Sequence, residues 1–203
     1  MKGDDNMAKQ TIVSISREFG SGGHMIAEKV AKDLGLPLYD RKMLEEIAAE
    51  KNMKVEHLEK YDEKSRNIFL TRRVRGYSNS MEEAVTEMQF EYIKRKADSG
   101  ESFVVVGRCA ETVLHGREEM ISIFILGDRD KKIKRVKEKY KLNESDAVSK
   151  INRHDKKRKQ YHNTYSKYKW GDSRSYDICI NSSRLGIEKT AEALEDYIKC
   201  RLQ

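Results

Sequence analysis

The sequence predicts an α/β fold in which helices cover both faces of a doubly wound parallel sheet. Short apolar runs rich in β-branched residues alternate with amphipathic helical stretches, which is typical of parallel strands joined by helical crossovers. Two of the runs, ESFVVVGR and MISIFILGD, are apolar over most of their length, as expected for strands covered on both faces. The five predicted strands lie at 11–16, 37–40, 101–108, 120–128 and 176–183.

The first two strands and the helix between them form a predicted βαβ unit. The run TIVSIS precedes a stripe of Ile26, Val30 and Leu34, which recur every four residues as on one face of a helix. Gly35 is expected to end this helix, and Pro37 prevents its continuation. The spacing implies a right-handed crossover between parallel strands.

A polar insertion at 41–99, helical in character, separates the second and third strands. Its first and last parts carry apolar residues at helical spacing, and the arginine-dense stretch RNIFLTRRVRGYSNS lies between them. The chain has 203 residues, so we expect a single domain, 11–203, after a flexible tail, 1–10. Further helices are predicted at 129–140, 143–165 and 185–202.

The composition argues against several classes of protein. No apolar run approaches the roughly 18–20 residues that a membrane span requires, and the first ten residues lack the apolar region of a secretory signal. Three scattered cysteines predict neither a disulfide framework nor a metal site, and they favour the reducing cytoplasm. The net charge of +7 favours an anionic partner such as a nucleotide.

A glycine-rich turn, SREFGSGGH, follows the first strand and opens the first helix. Backbone N–H groups at such a helix start are suited to phosphate oxygens, and Gly20, Gly22 and Gly23 allow the backbone to approach an anion closely. The usual phosphate loop reads GxxxxGK[ST], but here Arg17 stands at the first glycine and Gly23 at the lysine. The alternative is a glycine turn needed only for tight packing of strand against helix.

Charged residues follow the first three predicted strands. Arg17 follows the first strand, Asp40 and Arg41 the second, and Arg108 the third. Because ligands bind beyond the carboxyl ends of the strands in a doubly wound sheet, these groups are expected to converge on one crevice. Any one of them alone is better explained as an ordinary surface or salt-bridged residue, whereas the arginines at the strand ends together favour a common site. The basic stretch HDKKRKQYHNTYSKYKW follows later in the chain and is either a lid over the crevice or a solvated helix face.

Six segments carry a family resemblance: SREFGSGG, LPLYDR, VVVGRCA, DKKRKQY, YSKYKWGD and YDICINSSRLGIE. In their order and spacing they resemble the cytidylate kinase-like proteins, a branch of the P-loop nucleoside monophosphate kinases. The resemblance implies a five-stranded parallel sheet of order 2-3-1-4-5, an acceptor-binding region at about 41–99 and a mobile lid at about 150–172. It also implies phosphoryl transfer from ATP, with Mg²⁺, to a nucleoside monophosphate such as CMP or to a related small molecule.

The resemblance also implies roles for individual residues. The catalytic cations would be Arg17, Arg153 and Arg158, and the acceptor would contact Asp40, Arg41 and Arg108. The donor phosphates would be held by Gly20, Ser21, Gly22, Gly23, His24 and Lys157.

The chain departs from the cytidylate kinases at three positions. Gly23 and Met25 replace a lysine and a threonine of the loop, and Cys109 replaces an aspartate, which weakens the case for CMP. A catalytically weak nucleotide-binding module is therefore the alternative function. Binding of nucleic acid is disfavoured because the sequence has no helix-turn-helix signature and no aromatic platform. The insertion helices are candidates for a homo-oligomer contact.

Overall fold

The computed structural model describes residues 10–62, 73–74, 77–78 and 80–202, with the backbone alone at 73–74 and 77–78. The predicted tail lies outside the described residues except for Gln10, and so does much of the arginine-dense stretch. The strands are β1 (Ile12–Arg17), β2 (Leu38–Tyr39), β3 (Arg73–Val74), β4 (Tyr77–Ser78), β5 (Phe103–Val106), β6 (Met120–Leu126) and β7 (Ile178–Asn181). The helices are α1 (Gly23–Asp33), α2 (Met43–Glu50), α3 (Val55–Glu59), α4 (Met81–Asp98), α5 (Ala110–Val113), α6 (Arg129–Tyr140), α7 (Glu144–Tyr165) and α8 (Ser182–Leu202).

Five strands form one parallel sheet in the order β2-β5-β1-β6-β7. Numbered among themselves along the chain, these strands have the order 2-3-1-4-5, and the predicted doubly wound α/β fold is confirmed. The central strand β1 pairs with β5 through Ile12 and Phe103, and with β6 through Ile12 and Met120. All carboxyl ends therefore meet at one edge of the sheet, where the glycine-rich turn begins.

The core lies in two clusters, one on each face of the sheet. Successive residues of β1 point to opposite faces, so Ile12 joins one cluster and Val13 the other. One cluster packs α1 and α8 against the sheet, and the other packs the helices of the insertion against it. Because both faces are covered, all four residues of β5 and the five central residues of β6 are buried.

Two local features differ from the sequence-based expectation. A short antiparallel pair, β3 with β4, lies inside the insertion that was predicted to be helical. Helix α8 begins at Ser182 and is interrupted at Gly186, whose φ of 80° and ψ of 177° are not helical. The early start ties α8 to the glycine turn, since Ser182 Oγ donates to the carbonyl oxygen of Ser21 at 2.6 Å.

Helices α6 and α7 pack against each other beside the carboxyl edge of the sheet. Val136 of α6 and Ala147 and Ile151 of α7 form a third small cluster, which the side chain of Phe19 joins from the glycine turn. This contact places α7, which contains the predicted lid cations, next to the turn. None of the helices among the described residues has both the length and the apolar character that crossing a membrane requires.

Candidate active site

The turn between β1 and α1 has a conformation that requires glycine. Gly20 and Gly22 have φ values of 84° and 83°, in the left-handed region that other residues rarely adopt. A Cβ atom at Gly22 would lie 2.1 Å from Ile187 Cδ1, and one at Gly20 would lie 3.0 Å from Val136 Cγ2. The glycines therefore serve both the backbone turn and its close approach to α6 and α8.

Three amides of this turn are available to an anion. The N–H groups of Gly20, Gly22 and His24 make no hydrogen bond to any residue in the described part of the chain. They stand at the N-terminal end of α1, where the helix dipole adds positive potential. The other two amides are used inside the turn, since Ser21 N donates to the Glu18 carbonyl oxygen at 3.4 Å and Gly23 N donates to Ser21 Oγ at 3.3 Å.

The side chain of Ser21 stabilises the turn by a hydrogen bond inside it. Its side chain is fully buried, and its hydroxyl donates to the carbonyl oxygen of Glu18 at 2.8 Å. The structure thus turns this hydroxyl toward the protein, and a contact between Ser21 and a bound cofactor stays a prediction.

A cavity of about 430 Å³ opens beyond the carboxyl ends of β1, β2 and β5. It brings together most of the charged residues singled out in the sequence, whereas Arg153 is exposed on α7 and does not line it. We call it the acceptor cavity, after the predicted role of Asp40, Arg41 and Arg108; its lining consists of Arg17, Phe19, His24, Asp40, Arg41, Glu59, Lys60, Asp62, Val106, Arg108, His154, Lys157 and Arg158.

A second cavity, of about 600 Å³, lies between the glycine turn and α6. Its lining includes Gly20, Gly22 and Gly23 and the exposed side chains of Met25 and Tyr140. We call it the donor cavity, after the predicted role of the glycine turn. The two cavities share four lining residues, so they meet at one junction, formed by Arg17, Phe19, His24 and Arg158.

The basic helix α7 is docked on the turn by polar contacts. Asp155 Oδ1 accepts a hydrogen bond from Phe19 N at 2.6 Å, and Arg158 Nη1 donates to the Arg17 carbonyl oxygen at 3.2 Å. The nearly buried Lys132 Nζ lies 2.9 Å from Glu18 Oε2 and 3.3 Å from Asp155 Oδ2. Burial raises the pKa of the Asp155 carboxyl, while the hydrogen bond from Phe19 N and the ammonium of Lys132 oppose that rise.

His154 contributes a flat, uncharged surface to the acceptor cavity. Its ring stacks on Phe19 with a centroid distance of 4.1 Å and an interplanar angle of 7°. Burial is the main cause that lowers the pKa of His154 to about 4, and four nearby cations of α7 contribute to the same shift: Arg158, Lys150, Arg153 and Lys157. The imidazole is therefore neutral at pH 7, which is compatible with stacking among so many cations.

Comparison with known proteins identifies the family. The sequence profile of the cytidylate kinase-like family matches residues 12–184, which is most of the chain. The chain belongs to the cytidylate kinase-like family. The predicted resemblance is thus confirmed, and it extends from β1 through the start of α8.

Solved structures agree with this assignment. An uncharacterized protein from Eubacterium ventriosum ATCC 27560 is 38% identical, with a TM-score of 0.74, and the match covers 94% of this chain and 99% of that one. Shikimate kinase from Bacteroides thetaiotaomicron is 12% identical with a TM-score of 0.55, covering 93% and 98%. Shikimate kinase from Acinetobacter baumannii, in complex with shikimate, is 11% identical with a TM-score of 0.55, covering 95% of each chain. A search of curated proteins found no match.

The cytidylate kinase-like chain therefore has the fold of a P-loop nucleotide or small-molecule kinase. The shikimate kinases share its architecture at low identity, so they support the fold alone. The acceptor of a phosphoryl group is not identified by these comparisons.

One residue that sequence reasoning missed organises the floor of the acceptor cavity. Asp62 binds Arg108 with both carboxylate oxygens, at 2.5 Å to Nη1 and 2.9 Å to Nη2, and it accepts from Gln89 Nε2 at 2.9 Å. Arg108 is only 4% exposed. A buried guanidinium requires a carboxylate or another acceptor, but no local pattern indicated which residue of the insertion supplies it.

Arg108 also stands at an unusual backbone position. Gly107, Arg108 and Cys109 have φ values of 75°, 62° and 52°, so two residues with side chains adopt the left-handed conformation in succession. Such a conformation costs about 1–3 kcal/mol for each residue and is typical of functional sites. Arg108, which lines the acceptor cavity, thus belongs to a strained turn directly after β5.

The remaining predicted residues lie at the rim of the same cavity. His24 Nε2 is 3.6 Å from Asp40 Oδ2, and Arg41 Nε is 3.3 Å from Glu59 Oε1. Among the residues that the structure describes, no three His, Cys, Asp or Glu side chains are grouped so as to hold a metal ion by themselves.

Proposed function

We propose that this chain is a phosphotransferase that moves a phosphoryl group from ATP to a nucleoside monophosphate such as CMP, or to a related small molecule. The observation that carries the proposal is the junction of the two cavities. The glycine turn lines the donor cavity with its three available amides, and Arg17 and Arg158 stand at the junction, where a donor and an acceptor would be in contact.

The roles that we assign to residues at this junction follow from the negative charge of the phosphoryl group that is transferred. Phosphoryl transfer depends on positioning and on neutralising charge spread over the phosphate oxygens. The amides of Gly20, Gly22 and His24 would hold the donor phosphates, and Arg17 and Arg158 would bind oxygens of the transferring group with two N–H groups each. Lys157 and Arg153 would reach the donor from α7.

The acceptor would bind in the cavity that Asp40, Arg41 and Arg108 line. Asp62 fixes the Arg108 side chain in place, so this half of the site is held ready before the acceptor enters. Preorganisation of this kind places the attacking oxygen without further loss of side-chain freedom.

The residues present fit the phosphates of ATP, because the glycine turn offers amides that bond to no described residue, and these amides stand beside the donor cavity. Magnesium bound with ATP would neutralise part of the phosphate charge. We assign no side chain of this chain to the ion, and Asp40 stays with the acceptor; phosphate oxygens of the nucleotide and water would supply ligands of the ion.

The segment at about 150–172 is proposed as the lid, and about 41–99 as the acceptor-binding region, within one domain. Helix α7 already contacts the turn through Asp155 and Arg158, so a small further movement would close the junction. Closure would exclude water and limit hydrolysis of ATP. Three free cysteines support the cytoplasm as the proposed compartment.

The second candidate is a nucleotide-binding module with little turnover. It is favoured by the absence of a lysine at position 23 and of a hydroxyl at position 24, which are Gly23 and His24. Such a module would bind ATP but would transfer its phosphate slowly, because one cation at the transferring group is worth roughly 10²–10³ in rate.

A panel of acceptors separates the two candidates. The protein is incubated with ATP and Mg²⁺ and with CMP, other nucleoside monophosphates, shikimate or small alcohols, and ADP and phosphorylated product are measured. The phosphotransferase predicts product that depends on one acceptor class and exceeds ADP release without acceptor. Tight ATP binding with no acceptor-dependent product would instead establish the module.

A further inference from the structure

We propose that residues 17 and 23 form a mutually exclusive pair, and that the cation of the phosphate loop has moved from the start of α1 to the end of β1. The inference deepens the proposed function, since it names how this site is built to hold the donor phosphates. It concerns the space between Arg17 and Gly23.

Gly23 is in contact with the stem of Arg17. A Cβ atom at position 23 would lie 2.5 Å from Arg17 Cβ and 3.0 Å from Arg17 Cγ. Gly23 has no positive φ, so its backbone conformation alone would accept other residues. The absence of a side chain at position 23 is therefore explained mainly by Arg17, while Ser21 Oγ, which would lie 3.3 Å from the Cβ atom, is a lesser constraint.

This overlap cannot be relieved by rotating a side chain. A Cβ atom is fixed by the backbone, and Arg17 belongs to the central strand, where it is paired in register with Ile125 of β6. Gly23 is equally fixed, because it is buried at the first position of α1. Either Arg17 or a residue at 23 can carry a side chain here, but both together would force β1 and α1 apart.

The same two positions are the exceptions to the usual loop pattern. GxxxxGK[ST] places glycine at the end of the strand and lysine at the start of the helix, whereas this chain has Arg17 and Gly23 there. The large and the small residue have exchanged places. Arg17 lines both cavities, and the glycine turn lines the donor cavity, so Arg17 can supply there the positive charge that a lysine at 23 would supply.

Four variants test this exchange: Arg17→Ala, Gly23→Lys, and the doubles R17G/G23K and R17A/G23K. Inorganic tripolyphosphate is the probe, its affinity is measured by isothermal titration calorimetry, and stability is measured by urea unfolding. Arg17→Ala should weaken tripolyphosphate binding about 10- to 100-fold, as expected for lost charge-assisted hydrogen bonds. Gly23→Lys should destabilise the protein without a gain in affinity.

The two doubles differ only in the Cβ atom at position 17. R17G/G23K removes the overlap and restores the usual pattern, so it should regain the affinity lost in Arg17→Ala. R17A/G23K keeps the overlap between the two Cβ atoms. It should therefore bind tripolyphosphate as weakly as Arg17→Ala does, and it should be less stable than R17G/G23K. Arg95→Ala, which removes an exposed arginine on α4, is the control for general loss of positive charge.

The proposal is wrong if Arg17→Ala binds tripolyphosphate as well as the wild type does. It is also wrong if R17G/G23K is neither tighter nor more stable than R17A/G23K. These outcomes are independent of turnover: a wild-type protein that phosphorylates no acceptor yet binds tripolyphosphate through Arg17 would refute the phosphotransferase and leave this inference standing.

Discussion

Replacing Arg158 with alanine should lower kcat for phosphoryl transfer about 10²–10³-fold, with a smaller change in KM for ATP. Arg158 lines both cavities, and its Nη1 donates to the carbonyl oxygen of Arg17, so its guanidinium lies at their junction. A cation at that place stabilises charge that is largest in the transition state, and its loss therefore affects kcat more than binding.

The neighbouring Lys159 offers a matched control for this variant. It is exposed on the same helix and does not line either cavity, so Lys159→Ala should leave kcat unchanged. Steady-state kinetics on the acceptor identified by the panel would measure both variants. Equal kcat values for Arg158→Ala and Lys159→Ala would show that Arg158 does not stabilise the transition state.

The largest effect on stability is expected for Asp62→Ala. Arg108 and Asp62 form a bidentate pair whose side chains are 3% and 9% exposed. Removing the carboxylate leaves a buried positive charge without this partner, which should lower the free energy of unfolding by about 3–5 kcal/mol. Gln89, whose amide donates to the same carboxylate, would lose its partner as well.

An exposed pair of the same chemistry provides the control. Arg95 Nη2 lies 2.5 Å from Glu50 Oε2, but the side chains are 60% and 44% exposed. Glu50→Ala should therefore cost no more than about 1 kcal/mol. Urea unfolding of both variants at pH 7 compares them directly. Similar losses in the free energy of unfolding for Asp62→Ala and Glu50→Ala would show that burial does not make the pair of Asp62 and Arg108 more important for stability than an exposed pair.

Much of the fold could be predicted because its determinants are local. An apolar run such as FVVV of β5 indicates a doubly covered strand by itself, and the order of the strands followed from the family resemblance. The β3–β4 pair could not be predicted, because a strand of two residues is too short to show an alternation of apolar and polar residues. The interruption of α8 at Gly186 was also missed, because a glycine within a helical pattern can adopt either helical or non-helical backbone angles.

The candidate site was predictable only where its parts are adjacent in the chain. The glycine turn is one continuous segment. Arg17, Asp40 and Arg108 were predicted to share a cavity because each follows a parallel strand, and ligands bind beyond the carboxyl ends of such strands. Asp62 was missed because its partner lies 46 residues later in the chain. The departures at positions 17 and 23 were visible in the sequence, but their steric cause depends on a distance that only the folded chain defines.

The central claim is that the glycine turn binds the donor phosphates with its backbone amides. Titration of the ¹⁵N-labelled protein with ATP, followed by NMR, tests this claim most directly. The account predicts that the amide resonances of Gly20, Gly22 and His24 shift together and early in the titration, while that of Gly100, in a distant turn, does not. Unchanged resonances in the glycine turn, with shifts confined to the outer faces of α6 or α7, would contradict it.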